Sequence, residues 1–431
     1  MITRVEIKGL RALSYVDVEL SPFQVFVGPN ASGKSTFFDA IALPRDILQV
    51  GVEDAVRGNS KLGIPMRAAD PLDLTWQREG GPVEIAITAR KPPRMGESGG
   101  EGNGERVRYE IALRTDGPLE LLGENLWLIS PDAVRRQREE TSESPQRELF
   151  PAEPQPSPTP VVWPANRKSP KGWRKIVSKS EGGNDYFRSE TSKWNNLFRL
   201  GPARSALANL PEDETRFPTA IWFKRWLMEG IQLLALDAGA MRLPAPAGSP
   251  SSLLPDGSNL AWAIHDLETH APERLADWVE HLRTSLPDIR SIATREKPED
   301  RSRYLEITYA NGLVAPSWLL SDGTLRMLAL TLLAYVRNPV NLTLIEEPEN
   351  GIHPRAVETV IQSLSSVYGG QVFCATHSPL VLSLIKPDQL LCFGTTDSGA
   401  ADVVRGPEHP ELRDWRAAVH LGDLLAMGVL G

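Results

Sequence analysis

Only two cysteines, Cys374 and Cys392, occur in 431 residues. A disulfide framework and a cysteine-rich zinc site are therefore excluded, and a reducing, cytoplasmic compartment fits best. Both cysteines fall in strongly apolar stretches and read as core residues. No apolar run approaches the roughly 20 residues that span a bilayer. The most apolar stretch, 325–336, is interrupted by Arg326 and Thr331 and reads as a buried helix. The N-terminus alternates charged and apolar residues, so it lacks the apolar core of a secretion signal. A chain-wide positive charge is also missing: the net charge is −8, and any contact with nucleic acid must be local. Glycine (34) and proline (36) stay below the level that would argue low complexity throughout. Eleven tryptophans are dispersed, with no ladder of the kind single-strand binding favours.

At 41% hydrophobic and 24% charged, the chain has ample material for a large core. Residues 2–8, 15–20 and 23–27 read as strands. The last leads into a helix expected to stop near Leu43, before Pro44. Residues 82–90 and 106–115 read as a β-hairpin with a long tip over 92–104. Residues 136–160 are polar and then proline-rich, as a linker would be. Residues 167–179 carry six basic residues and no acid. Lys168, Lys171, Arg174 and Lys175 within this run fit either a phosphate-contacting patch or an ordinary solvated face. Leu275, Trp278, Val279 and Leu282 lie on one helical face. From residue 301 onward strands and helices alternate, as in a parallel α/β sheet.

Gly28-Pro29-Asn30-Ala31-Ser32-Gly33-Lys34-Ser35-Thr36 contains the spacing G-x-x-x-x-G-K-S/T between a strand and a helix. Backbone N–H groups there cradle phosphate, Lys34 neutralises it and Ser35 ligates Mg²⁺. Leu342-Thr343-Leu344-Ile345-Glu346-Glu347-Pro348 is an apolar strand ending in two carboxylates. Glu346 suits Mg²⁺ and Glu347 suits a general base for water. His377 follows the next strand, 30 residues past Glu347, where it can report on the γ-phosphate. Ser321-Asp322-Gly323-Thr324 opens a helix 26 residues before Glu347 and forms a second anion site, suited to ATP held by another subunit. Lys34 and Glu347 are 313 residues apart, so the two ends of the chain must build one site around a large insertion.

The series Gly28 to Ser35, Ser321 to Thr324, Ile345-Glu346-Glu347-Pro348-Glu349-Asn350-Gly351-Ile352-His353-Pro354 and Thr376-His377-Ser378-Pro379 resembles the ABC-type ATPases of the RecF/SMC/OLD group. Within that group it is similar to the bacterial AAA-family ATPases without coiled coils. The opening around Gly9-Leu10-Arg11 and the central run from Leu254 to Ala261 are similar too. The resemblance implies an α/β fold: a P-loop ABC-type ATPase head, with an N-terminal mixed β lobe, a parallel-sheet core and a large, mainly helical insertion. The corresponding division is 1–135, 136–300 and 301–431. It implies ATP and Mg²⁺ as cofactors and head-to-tail dimerisation, with Ser321 and Gly323 meeting the partner's γ-phosphate and His377 acting as the switch. It also implies a role in antiphage defence beside a separate nuclease or methyltransferase. A DNA-repair-like or regulatory scaffold is the alternative, and the long insertion disfavours a transporter subunit. Glu346 stands where many relatives have Asp, and Ser-Asp-Gly-Thr replaces Ser-Gly-Gly-Gln. The Q-loop glutamine has no clear counterpart, with Gln77 a weak candidate. Only 54 residues follow His377, too few for the Toprim nuclease domain of several relatives.

Overall fold

The computed structural model describes residues 1–92, 106–142, 160–164, 167–182 and 184–409. The hairpin tip and most of the proline-rich stretch lie outside the described residues.

Strand Phe23–Val27 is buried at every position because both faces are covered. Phe26 faces one core, where its ring meets Phe37, Phe38, Phe373 and Phe393 with centroids 5.1–5.7 Å apart. Phe23, Val25 and Val27 face a second core. Burying each such ring or aliphatic side chain contributes roughly 1.5–3 kcal/mol. The strand is central in a six-stranded sheet ordered Ile231–Leu234, Leu342–Glu346, Gln371–Ala375, Phe23–Val27, Leu390–Thr395, Ala401–Arg405. All neighbours are parallel except the last pair. The parallel α/β core expected from the C-terminal alternation is thus present.

A second, antiparallel sheet of eight strands runs from Leu13–Glu19 and Ile2–Leu10 through Val83–Arg90, Arg106–Arg114 and Glu120–Ile129 to Trp173–Ser180, Asp185–Arg188 and Asn195–Phe198. Gln371 joins the two sheets. Its amide accepts from Ile2 N at 2.5 Å and donates to Ile2 O at 2.9 Å. Helices Lys34–Val50 and Pro218–Glu229 contribute to the first core. Helices Leu260–His270, Pro272–Arg283, Asp322–Leu332 and Pro354–Ser365 surround the second. A small antiparallel sheet, Ile289–Glu296, Arg303–Tyr309 and Val314–Pro316, completes the C-terminal part.

Three details depart from the sequence pattern. The helix after the P-loop runs through Pro44 to Val50, because Leu43, Ile47 and Leu48 remain buried and hold the turn that the missing N–H weakens. The segment 173–198 is not part of a helical lobe: it extends the N-terminal sheet by three strands. Ile231–Leu234, from the middle of the chain, is a core strand. The run Leu254 to Ala261 secures the chain just after that strand. The buried Asn259 accepts from Leu254 N at 2.8 Å and donates to Pro250 O and Ser252 O at 2.7 Å, while Ala235 N reaches Pro255 O at 2.8 Å. No helix among the described residues is long and apolar enough to cross a membrane.

Candidate functional site: a phosphate-binding cleft at the ends of the core strands

The loop after Phe23–Val27 turns through positions that side chains resist. Gly28 has φ 153°, and a Cβ there would lie 2.1 Å from Phe393 O. Gly33 has φ 101° and precedes the helix. Ala31 takes φ 63° without being glycine, a strained turn of the kind found at ligand sites. Lys34 folds back over the loop, donating to Gly28 O at 2.8 Å and Pro29 O at 2.7 Å. Burial lowers its amine to about 8, against the opposing pull of Glu347 and Glu346.

Glu346 ends its strand beside Ala375, and Glu347 N donates to Ala375 O at 2.8 Å. This parallel pairing sets the residues that follow, Glu347 and His377, face to face. His377 Nε2 lies 3.8 Å from Glu347 Oε1. Burial and Lys34 together hold the imidazole below its ordinary value, so it is neutral at pH 7. Glu347 sits at φ 45°, a second strained non-glycine position.

These residues enclose a cleft of about 480 Å³ lined by Asn30, Lys34, Ser35, Thr36, Glu346, Glu347 and His377. Ser35, in the first turn of the helix, and Glu346, at the end of its strand, offer hard oxygen donors to the same cleft, which fits Mg²⁺, an ion that keeps several waters and takes few protein ligands. Among the described residues no cluster of three or more His, Cys, Asp or Glu could hold a metal by protein ligands alone.

Ser321 to Thr324 do not line the cleft. Ser321 Oγ caps its helix, accepting from Thr324 N at 3.1 Å. Gly323 packs so closely on the turn after Glu347 that a Cβ would lie 2.5 Å from Gly351 O. Arg242 binds Leu320 O at 3.0 Å and pairs with Asp322, fixing the turn.

Gln77 does not reach the cleft. Its backbone is at φ 49° and its amide donates to Ser398 O at 3.2 Å, so the Q-loop expectation finds no support there. The basic run is split by strand geometry. Lys168, Lys171 and Arg174 are exposed. Lys175 is half-buried, with its ammonium 4.5 Å from the centre of the Trp127 ring, and Lys179 is buried against Asp185 at 2.7 Å. Cys374 and Cys392 are both buried, as expected.

Arg11 lines the cleft as well. It projects from the turn between the first two strands, held by Asp39 at 3.1 Å and Arg67 O at 2.8 Å. Its signal was a lone cation in a tight turn, which spacing does not connect to the P-loop.

The sequence matches the family described as "AAA domain, putative AbiEii toxin, Type IV TA system" over residues 23–383. The chain belongs to this AAA-domain family. Residues 1–44 also match the family described as AAA ATPase domain. No curated protein matches. Among solved structures, the Smc head bound to the C-winged helix domain of ScpA aligns with TM-score 0.51 and 17% identity, over 94% of this chain and 97% of that one. The Smc head with an extended coiled coil, bound to the C-terminal domain of ScpA derived from Pyrococcus furiosus, aligns with TM-score 0.48 and 15% identity, over 94% and 95%. The SMC head from Thermotoga maritima aligns with TM-score 0.40 and 11% identity, over 94% and 98%. The fold is that of an ABC-type AAA ATPase of the RecF/SMC-like group.

Proposed function

We propose that the chain binds ATP with Mg²⁺ in the 480 Å³ cleft, hydrolyses it to ADP and phosphate, and works as a head-to-tail homodimer. One observation carries this reading. Lys34, Ser35, Glu346, Glu347 and His377 converge on one cleft while the capped turn Ser321 to Thr324 stands outside it. A cleft with its own lysine and base but without that turn is half of a composite site.

The loop N–H groups and Lys34 receive the β- and γ-phosphates. Ser35 and Glu346 would hold Mg²⁺, which would supply charge neutralisation at the phosphates. Glu347 accepts a proton from the attacking water, and neutral His377 beside it is free to donate toward the γ-phosphate. The partner's Ser321 and Gly323 close the site on its open side.

The family description supports a further step, in which the ATPase is the sensor of a bacterial antiphage defence system in the cytoplasm and acts with a separate nuclease or methyltransferase. Direct nucleic-acid contact, if made through the exposed Lys168, Lys171 and Arg174, is local.

The decisive experiment is Glu347→Gln with ATP and Mg²⁺. The variant is expected to bind ATP, to lose turnover by about 10²–10⁴-fold and to double its mass in light scattering. A variant that binds ATP and remains monomeric overturns the composite-site reading. A nuclease or methyltransferase gene beside this one supports the defence role, and a permease gene counts against it.

A further inference from the structure

Glu349 lies two residues beyond the proposed base and is bound to Thr376, just past the end of the neighbouring strand. The turn that follows Glu347 closes through Asn350 N to Glu347 O at 2.9 Å and Ile352 N to Glu349 O at 3.0 Å. This folds the Glu349 side chain back toward the strand end at Ala375. There Thr376 Oγ1 donates to Glu349 Oε1 at 2.5 Å and accepts from Ser378 N at 2.9 Å. Thr376 is fully buried and its own N–H donates to Phe26 O at 3.0 Å, so this anchor is rigid. Glu349 and Ser378 therefore bracket His377 through a single hydroxyl.

The other oxygen, Glu349 Oε2, is buried and has no hydrogen-bond partner among the described residues. An ionised oxygen left so is expensive, whereas a protonated one is a donor in search of an acceptor. The neighbouring carboxylate that acts on it is that of Glu347. The Glu347 charge opposes ionisation of Glu349. Burial first, and Glu347 second, push the Glu349 carboxyl up to about 7. The other titratable groups facing it are His377 and Cys374, with Arg326 packed at Gly351 two residues on.

We propose that Glu349 is a positioning residue for hydrolysis. Anchored on Thr376, it donates a hydrogen bond from its otherwise unpaired Oε2 to the Glu347 carboxylate and fixes that base beside His377. The strained φ of Glu347 then has a cause, since the backbone is turned so that its side chain meets both Glu349 and His377. The inference rests on Glu347 being the base for ATP hydrolysis.

The test compares Glu349→Ala and Glu349→Gln in the full chain with Mg-ATP. Loss of the donor lets the base drift, so Glu349→Ala is expected to lower kcat by about 10–100-fold while KM and ATP affinity stay within about threefold. The amide of Gln is also a donor, and Glu349→Gln is expected to keep most of the wild-type kcat at pH 7. Wild-type kcat should fall as pH rises through about 7, where Glu349 loses its proton. Glu349→Gln should lack that limb, because the amide does not titrate. Wild-type kcat in Glu349→Ala, or an unchanged pH profile in Glu349→Gln, overturns the proposal. If Glu349→Ala no longer binds ATP, the pH profile of Glu349→Gln decides alone. Failure of the underlying reading looks different, because wild type and Lys34→Ala would then show equal, background turnover.

Discussion

Gly323→Ala tests the proposed composite site. A Cβ at this position lies 2.5 Å from Gly351 O, and ordinary contact begins at 3.4 Å. The signature turn, Ser321 to Thr324, must therefore back away by about 0.9 Å, or the turn after Glu347 must yield by the same amount. Neither is compliant: Arg242 holds the first through Leu320 O and Asp322, and Thr376 holds the second through Glu349. Overpacking of this kind costs about 1–3 kcal/mol in stability. A displacement near 1 Å of a catalytic element costs about 100-fold in rate. The P-loop, Lys34 and Ser35 do not touch Gly323, so ATP affinity of the isolated chain should stay within about threefold. Equilibrium binding of a fluorescent ATP analogue and steady-state phosphate release measure the two quantities separately. Wild-type turnover in Gly323→Ala would refute the close packing as a functional constraint. An equal loss of affinity and turnover would place the signature turn in its own cleft and refute the two-chain site.

Lys34 gives a pH signature. Its amine titrates near 8 in the empty chain, and added phosphate charge raises that value, so binding above pH 8 must draw a proton from solution. Affinity should be flat below pH 8 and fall above it by up to about tenfold per pH unit; calorimetry at pH 9 in two buffers of different ionisation enthalpy would show equal heats if this is wrong. Reversing the exposed Lys168 and Lys171 to Glu should leave the melting temperature unchanged and abolish any DNA stimulation of turnover, and persistent stimulation removes the patch from consideration. Lys175→Glu should instead destabilise the fold by about 0.5–2 kcal/mol, because it loses the Trp127 face, and should be read by melting.

The cleft was legible because phosphate chemistry confines it to short runs. Gly28 to Ser35, Glu346 and Glu347, and His377 each lie at a strand end, where one residue type at one offset decides the outcome. Arg11, Thr376 and Glu349 were not legible as site residues. They act through contacts between elements, and no local pattern records that a threonine hydroxyl will meet a carboxylate 27 residues away. The middle of the chain misled for a related reason. Trp173–Ser180 reads as a solvated basic run because Arg174, Lys175 and Lys179 continue the acid-free basic stretch from Arg167, yet Ile176 and Val177 bury and Lys175 and Lys179 find partners inside. Ile231–Leu234 is four residues long, too short to register as a core strand against the helix before it.

The strand order has a temporal consequence. Phe23 is paired with Val372, 349 residues later in the chain. At about 5–20 residues per second on the ribosome, the P-loop strand waits roughly 20–70 s for the neighbours that cover it. During that interval five consecutive apolar or amide-bearing residues, Phe23 to Val27, have no sheet to join. The antiparallel strands made first, from Ile2 to Ile129, have partners close in sequence and can assemble meanwhile. A nascent chain arrested after Phe198 but before Gln371 would thus own every strand of the β lobe and a complete P-loop sequence, and still be unable to form a nucleotide pocket.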